Sequence, residues 1–288
     1  MNPLAVTPAS TLSELALADG TRLALRHWPA PAAPARGTVL LVHGLGEHSG
    51  RYEHVAQWLR GQGFQVVAYD HRGHGCSQGP RGGLRRPDDL LEDLAAVLDQ
   101  VRAQAPAPLV LLGHSMGGLV AARFVAGALR PVEGLVLSSP ALDPGLSGPQ
   151  RALLALMHAL APDLPVPNGL RVRDISHDDA VVQAYMDDPL VHARVTARLV
   201  RFIVDGGRQV RAQAAQWRVP TLLMWAGADR LVAPAGSAAF AARAPAGVVE
   251  ARCFEAMRHE IFNEPDNDAV FACLQRWLDA RFGAPGAH

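Results

Sequence analysis

The chain has 288 residues, of which 49% are hydrophobic and 19% are charged, and its 27 basic and 27 acidic residues give a net charge of zero. This composition is typical of a globular protein with a sizeable core, and the lack of basic blocks argues against nucleic-acid binding. Every basic residue is an arginine, which excludes a P-loop lysine or a lysine Schiff base within this chain.

The cysteines and the N-terminal residues indicate the compartment. Cys76, Cys253 and Cys273 have no C-x-x-C spacing, and an odd number of cysteines suits a reducing environment. Residues 1–8 contain neither a basic stretch nor a long apolar stretch, so we expect no secretory signal peptide. No apolar run reaches the roughly 18 residues that a membrane-spanning helix needs. We therefore expect a cytoplasmic protein.

Strands and helices alternate in the first half of the predicted secondary structure. Residues 12–17 and 21–28 alternate between apolar and polar side chains around a short turn, which is typical of a β-hairpin. Thr38–Val42 is almost wholly apolar, as expected for a parallel strand covered on both faces. Further strands are predicted at Phe64–Tyr69, Leu109–Leu112 and Gly134–Leu137, and helices at Arg51–Arg60 and Pro87–Ala103.

The alternation stops after residue 140 and resumes near residue 221. Residues 141–205, which we call the cap segment, contain several prolines and glycines and no clear strand, although two apolar stretches have the length of helices. The later predicted elements are strands Thr221–Trp225 and Val248–Cys253 and helices Pro234–Ala244 and Asp268–Phe282. The order predicts an α/β core, residues 1–140 and 206–288, with a mostly parallel doubly wound sheet. The cap segment is then a helical insertion over the edge where such sheets bind ligands.

Residues 113–117 read Gly-His-Ser-Met-Gly and carry the strongest chemical signal. An apolar strand precedes them and a buried helix follows, which is the context of a nucleophile elbow. Gly113 and Gly117 lack a Cβ, so the strand and the helix can crowd around Ser115. The pattern predicts that Ser115 is a nucleophile at a helix N-terminus, where developing negative charge is stabilised.

A serine nucleophile needs a general base, and the base needs a carboxylate that orients it. His259 lies in a loop after the last predicted strand, and Asp229 directly follows the strand before it. Both positions fall on the same sheet edge as Ser115, in the order Ser, Asp, His. Asp143, after the strand that follows the elbow, is the rival carboxylate, and Asp205 is a weaker one.

Two backbone N–H groups are expected to stabilise the oxyanion. One belongs to Met116, the residue after the serine. The other should lie in the loop after strand Thr38–Val42, where Leu45 stands between two glycines that let the backbone aim its N–H inward.

Several motifs resemble the monoacylglycerol lipase family of α/β-hydrolases, some of whose bacterial members are described as lysophospholipases. Residues 43–52 read His-Gly-Leu-Gly-Glu-His-Ser-Gly-Arg-Tyr, close to the family's H-G-x-G-E-H-S-G-R-Y, and residues 70–77 match its D-x-x-G-H-G-x-S. Residues 113–118 match G-H-S-M-G-G. Residues 227–230 match G-x-x-D-R but are one residue shorter. The resemblance covers most of residues 12–282 and is weakest in the cap segment.

The resemblance implies an α/β-hydrolase fold, no metal and no organic cofactor. It implies a triad of Ser115, Asp229 and His259 and oxyanion donors at Leu45 and Met116. It also implies a polar pocket for a glycerol head, formed by Glu47, Arg51, His114 and Tyr185. For Glu47, Arg51 and His114, a network that only stabilises the loop is an equal alternative.

We therefore expect a serine hydrolase that cleaves fatty-acid esters, above all monoacylglycerols, through an acyl-enzyme on Ser115. A lysophospholipase or a short-chain carboxylesterase on the same scaffold is the alternative, and a binding protein or an acyltransferase is less favoured. Leu153–Leu160 is apolar on nearly every face, so we expect it to be buried or to form an acyl entrance. Transient contact between the cap segment and a membrane surface stays open. The sequence does not indicate the oligomeric state.

Overall fold

An eight-stranded sheet lies at the centre of the computed structural model, which describes residues 10–31, 34–105 and 107–283. Residues 1–8, on which the signal-peptide expectation depends, lie outside the described residues. In chain order the strands are β1 (Thr11–Ala16), β2 (Arg22–Trp28), β3 (Thr38–Val42), β4 (Gln65–Tyr69), β5 (Leu109–His114), β6 (Gly134–Ser138), β7 (Val166–Pro167), β8 (Arg194–Val195), β9 (Thr221–Ala226) and β10 (Val249–Phe254).

The strand order of the large sheet is β1-β2-β4-β3-β5-β6-β9-β10. The pairs β1–β2 and β2–β4 are antiparallel, and the six strands from β4 to β10 are parallel to one another. Strands β7 and β8 pair separately in the cap segment. The mostly parallel doubly wound sheet and the α/β-hydrolase fold are thereby confirmed.

Helices cover both faces of the large sheet, and two more lie within the cap segment. They are α1 (Glu53–Gly61), α2 (Asp89–Gln104), α3 (Ser115–Ala126), α4 (Gly148–Leu160), α5 (Asp179–Asp187), α6 (Ala197–Gln213), α7 (Pro234–Ala241) and α8 (Asp268–Phe282). The two within the cap segment are α4 and α5. Because side chains alternate along a strand, Leu40 and Val42 of β3 pack with α2 and α3, whereas Val39 and Leu41 pack with α1 and α8. All four residues are buried, which explains why β3 is an uninterrupted apolar run.

The parallel strands bring distant parts of the chain to one edge of the sheet. Val42, the last residue of β3, pairs with Gly113 near the end of β5. The loops after β3, β5, β9 and β10 therefore lie side by side, and these loops carry the residues that the sequence singles out.

Helix α4 differs from the sequence expectation. None of its residues is buried, and the side chains of Leu153, Leu156 and Leu160 are 58%, 55% and 76% exposed. Of the two expectations for this helix, burial is therefore wrong, and an acyl entrance stays a prediction. Its apolar pattern reflects contact of only one side, where Leu154 and Met157 face α6 across a small apolar cavity.

Helix α6 is longer than predicted and crosses residue 205, where the sequence places the end of the cap segment. Gly206 and Gly207 lie inside this helix and allow close packing there. A Cβ at Gly207 would lie 2.2 Å from the carbonyl oxygen of Leu142, and one at Gly206 would lie 2.5 Å from Cδ of Arg123. The division into core and cap stays a prediction.

Candidate active site

Ser115 lies at the turn between β5 and α3. Its backbone φ is +52°, a left-handed conformation that is unfavourable for a non-glycine residue. The surrounding glycines permit the crowding that this turn requires. A Cβ at Gly117 would lie 2.1 Å from the carbonyl oxygen of Val42, and a Cβ at Gly113 would lie 2.6 Å from that of Gly117. Ser115 is therefore held in a strained turn at the sheet edge, with its hydroxyl lining a cavity.

His259 connects Ser115 to Asp229. Its Nε2 lies 2.8 Å from Oγ of Ser115, and its Nδ1 lies 2.6 Å from Oδ2 of Asp229. An ionised carboxylate only accepts hydrogen bonds, so Nδ1 carries the proton and Nε2 accepts from the serine hydroxyl. The other oxygen of Asp229 accepts the backbone N–H groups of Leu231 and Val232, which fixes the carboxylate. This geometry suits proton transfer from the serine to the histidine.

The two rival carboxylates have other partners. Asp143 accepts the N–H of Gly145 and lies 3.4 Å from Nη1 of Arg211. Asp205 pairs with Arg201 within α6. Among the carboxylates of the described residues, Asp229 is the one hydrogen-bonded to His259.

The pKa of His259 lies above its ordinary value. Burial disfavours the charged imidazolium, but the surrounding carboxylates, Asp229 above all, favour it and together outweigh burial. Glu260 and Glu47 add to the same effect. His114 behaves oppositely, because burial and the neighbouring His259 lower its pKa to about 4.

The loop after β3 approaches Ser115 closely. A Cβ at Gly44 would lie 3.2 Å from Cβ of Ser115 and 2.8 Å from Oε1 of Glu47, so a glycine is required there. Leu45 and Met116 line the same cavity as Ser115. Met116 is in the first turn of α3, where backbone N–H groups have no partner within the helix. Both candidate oxyanion donors therefore lie around the serine.

Glu47 is occupied by contacts within the protein. Its Oε1 accepts the backbone N–H of Gly44 at 2.5 Å and the hydroxyl of Tyr52 at 2.7 Å. Its Oε2 accepts from Nη1 of Arg51 at 2.5 Å. Burial would raise the pKa of Glu47, but Arg51 and His114 lower it to about 2, so the carboxylate is ionised at neutral pH.

Arg51 also forms a second, bidentate ion pair with Glu260. Nη1 lies 2.7 Å from Oε1 and Nη2 lies 2.8 Å from Oε2 of that carboxylate. The guanidinium carbon of Arg51 lies 4.5 Å from the centre of the Tyr185 ring. Arg51 is absent from the cavity wall, whereas Glu47, His114, Tyr185 and Glu260 line it. The sequence reasoning missed Glu260, although a carboxylate next to the expected base was a signal.

A polar group from the cap segment was also missed. Asn168 lines the cavity, and its Oδ1 accepts the N–H of Leu170. A Cβ at Gly46 would lie 3.5 Å from the Tyr185 hydroxyl and 3.7 Å from Nδ2 of Asn168, so both polar groups approach the same loop. His114 turns its Nδ1 to Oγ of Ser138, at 3.1 Å.

The remaining cavity wall is mostly apolar. The cavity encloses about 960 Å³, its open mouth included. Its apolar lining comes from the cap segment and from the loop after β9, and includes Leu146, Leu170, Val172, Ile175, Val195, Val200, Ile203, Leu231 and Val232. A few polar groups at one end and an apolar wall at the other are typical of a site for an amphipathic small molecule.

Among the residues that the structure describes, no cluster of three or more His, Cys, Asp or Glu side chains could hold a metal ion. Within the same residues, no helix is long and apolar enough to cross a membrane.

Comparison with known proteins gives the family. Residues 33–266 match the hydrolase family described as "Serine aminopeptidase, S33". The chain is 37% identical over 278 residues to the monoacylglycerol lipase of Mycolicibacterium smegmatis, covering 94% of this chain and 98% of that protein. It is 30% identical to the phospholipase YtpA of Bacillus subtilis, covering 88% and 98%. The crystal structure of Paleococcus ferrophilus monoacylglycerol lipase superposes with a TM-score of 0.82 at 31% identity, covering 90% and 99%.

These similarities extend over nearly the whole chain, and the relatives named above are two lipases and a phospholipase. The alternative of a non-enzymatic binding protein is therefore dropped. The chain belongs to the monoacylglycerol lipase family of α/β-hydrolases and is a serine ester hydrolase.

Proposed function

We propose that Ser115, His259 and Asp229 form the catalytic triad of this enzyme. The observation that carries the proposal is the continuous hydrogen-bond chain from Oγ of Ser115 through the His259 ring to Asp229. His259 accepts the serine proton as Oγ attacks the ester carbonyl carbon, and it then donates that proton to the leaving alcohol. A water molecule, deprotonated by His259, hydrolyses the acyl-enzyme and releases the fatty acid.

The backbone N–H groups of Leu45 and Met116 are the proposed oxyanion donors. Their contribution arises as negative charge develops on the carbonyl oxygen, so it lowers the barrier rather than tightening substrate binding. The contact between Gly44 and Ser115 supports this role, because it sets the loop directly beside the nucleophile.

The proposed substrate is a monoacylglycerol. The polar end of the cavity suits a small alcohol with free hydroxyl groups, and the apolar wall suits an acyl chain. The polar end is formed by Tyr185, His114 and Glu47, with Arg51 adjacent to it. Of these residues, Tyr185 is the best candidate for direct contact with the head, because the oxygens of Glu47 and two nitrogens of Arg51 already have protein partners. Monoacylglycerol is also the substrate in the names of the Mycolicibacterium smegmatis and Paleococcus ferrophilus relatives.

A lysophospholipase is the second candidate. Arg171 and Arg173 of the cap segment are exposed and offer positive charge for a phosphate group. A short-chain carboxylesterase and an acyltransferase would form the same acyl-enzyme. The esterase would differ in accepting a shorter acyl group, and the acyltransferase in using an alcohol, in place of water, to attack the acyl-enzyme.

We infer two further properties of the protein. The three exposed leucines of α4 support transient contact with a membrane surface through the cap segment. The odd number of cysteines supports a cytoplasmic location.

Two measurements test the proposal. A fluorophosphonate probe should label the wild-type protein and fail to label Ser115→Ala, and labelling that survives the substitution would remove Ser115 as nucleophile. A panel of monoacylglycerols, lysophospholipids, triacylglycerols and p-nitrophenyl esters should give the highest kcat/KM for monoacylglycerols. Preference for a lysophospholipid or for acetyl esters would select one of the alternatives, and acyl transfer to an added alcohol in place of fatty-acid release would indicate an acyltransferase.

A further inference from the structure

Arg51 lies between two loops that are far apart in sequence. Its guanidinium group contacts Glu47 in the loop after β3 and Glu260 in the loop after β10. The side chains of all three residues are almost fully buried, with exposed fractions of 10%, 4% and 7%. Charge-assisted, bidentate hydrogen bonds of this kind fix geometry as well as contributing energy.

Each carboxylate is connected in turn to a part of the proposed catalytic machinery. Glu47 accepts the N–H of Gly44, which directly precedes the proposed oxyanion donor Leu45. Glu260 directly follows His259, and its Oε2 also accepts from Nδ2 of Asn263. A displacement of either carboxylate would therefore move the oxyanion loop or the histidine loop.

From these contacts we infer that Arg51 and Glu260 are positioning residues, which hold the loop of Leu45 and the loop of His259 in a fixed relation to Ser115. The pair does not reach the reacting atoms itself. It acts through Gly44 on one side and through the backbone of His259 on the other. This inference rests on the proposed function, since it presupposes the triad and the oxyanion donors.

The contacts favour positioning over recognition of the substrate head. Arg51 uses Nη1 and Nη2 for Glu47 and Glu260, and the Tyr185 ring covers the guanidinium group. With two carboxylates around one guanidinium, the cluster also carries one net negative charge. That charge favours the imidazolium form that His259 adopts when it accepts the serine proton.

The test compares Glu260→Gln and Arg51→Lys with the wild-type enzyme on a monoacylglycerol and on p-nitrophenyl acetate. Both variants keep the approximate size of the side chain and remove the bidentate pair. We expect kcat to fall roughly 10- to 100-fold on both esters with KM nearly unchanged, because loss of a whole oxyanion donor costs about 10²- to 10³-fold. The double variant should be no slower than the slower single variant, since both changes break the same connection.

A burst titration of active sites normalises kcat, so that a lower yield of folded protein does not count as slower catalysis. Asp279→Asn is the matched control, because it breaks the partly buried ion pair with Arg36 at the opposite edge of the sheet. It should lower the midpoint of thermal unfolding and leave kcat within about twofold.

Three outcomes would overturn the inference. Wild-type kcat per titrated site in both single variants would mean that the pair does not position the loops. A loss confined to the monoacylglycerol would make Arg51 or Glu260 a contact of the substrate head. Losses that multiply in the double variant would show two independent effects. Failure of the proposed function would give a different result from failure of this inference. In that case Ser115→Ala would retain activity, independently of the activities of the Glu260 and Arg51 variants.

Discussion

The imidazole rings of His114 and His259 lie 4.7 Å apart, and the protein shifts their pKa values in opposite directions. Burial and the neighbouring ring lower the pKa of His114 to about 4, whereas the pKa of His259 is raised above the ordinary histidine value, because Asp229, Glu260 and Glu47 together outweigh burial. His114 is therefore neutral at physiological pH, and His259 is the member of the pair whose pKa lies above the ordinary value.

The first prediction concerns pH. The base must be neutral to accept the serine proton, so kcat/KM should rise with pH through a single ionisation of the free enzyme. Because the pKa of His259 is raised, the midpoint should lie above about 6.5. A pH series from 4 to 9 measures it. A second ionisation between pH 5 and 8 would contradict the assignment of His114 as neutral. Activity lost to EDTA and restored by a divalent metal would point to another mechanism.

The second prediction separates the two candidate aspartates. Asp229→Asn should lower kcat by roughly 10⁴-fold, because an amide no longer selects the tautomer that leaves Nε2 free to accept the serine proton. Asp143→Asn should change kcat little, since that carboxylate interacts with Arg211 and the N–H of Gly145. Initial rates on a p-nitrophenyl ester check both variants, and the reverse pattern would transfer the role to Asp143.

The third prediction concerns the substrate head. Tyr185→Phe removes only the hydroxyl, so kcat/KM for a monoacylglycerol should fall by roughly 5- to 30-fold, the effect of about 1–2 kcal/mol. Hydrolysis of p-nitrophenyl acetate should fall much less. Glu47→Gln serves for comparison, because its oxygens contact Gly44, Tyr52 and Arg51 and its loss should affect both esters. Equal losses on both esters in Tyr185→Phe would mean that its hydroxyl only stabilises the loop.

The fourth prediction concerns helix α4. Replacing Leu156 and Leu160 by serine removes exposed apolar area from one surface. Each leucine side chain contributes about 1.5–3 kcal/mol to the free energy of membrane binding when it is fully transferred from water. The fraction of protein that sediments with phospholipid vesicles should therefore decrease. Leu129→Ser is the control, since that residue is 39% exposed but lies outside the cap segment. An equal decrease in both variants, or no vesicle binding by the wild type, would argue against a membrane contact through α4.

Local patterns in the sequence predicted most of the sheet. Strand β3 has the predicted bounds, and helix α8 begins and ends at the predicted residues, because each is an uninterrupted pattern between clear turn signals. The elbow was predictable for the same reason, since two glycines and a serine between an apolar strand and helix form a local arrangement. Short helix α5 was missed, because nine residues with a modest apolar face give a weak signal.

Long-range relationships could not be predicted in the same way. The pair of Arg51 and Glu260 joins residues 209 positions apart, and no local pattern specifies such a contact. The exposure of α4 depends on which elements cover it, whereas the sequence reports only that it is apolar. In α6, Gly207 allows the helix to pass close to Leu142, and no local pattern could show this because Leu142 lies 65 residues away in the chain.

Three of the contacts between the cap segment and the loops beneath it lie next to the proposed catalytic residues. The N–H of His192 donates to the carbonyl oxygen of Gly46, the carbonyl oxygen of Ile175 accepts from the N–H of Glu260, and Tyr185 covers Arg51. For protein engineering, this segment is consequently not an interchangeable module. A chimera that receives the corresponding segment of another hydrolase must reproduce these three contacts. Without them, its kcat will fall even where its selectivity changes as intended, because the loops around Ser115 are no longer held.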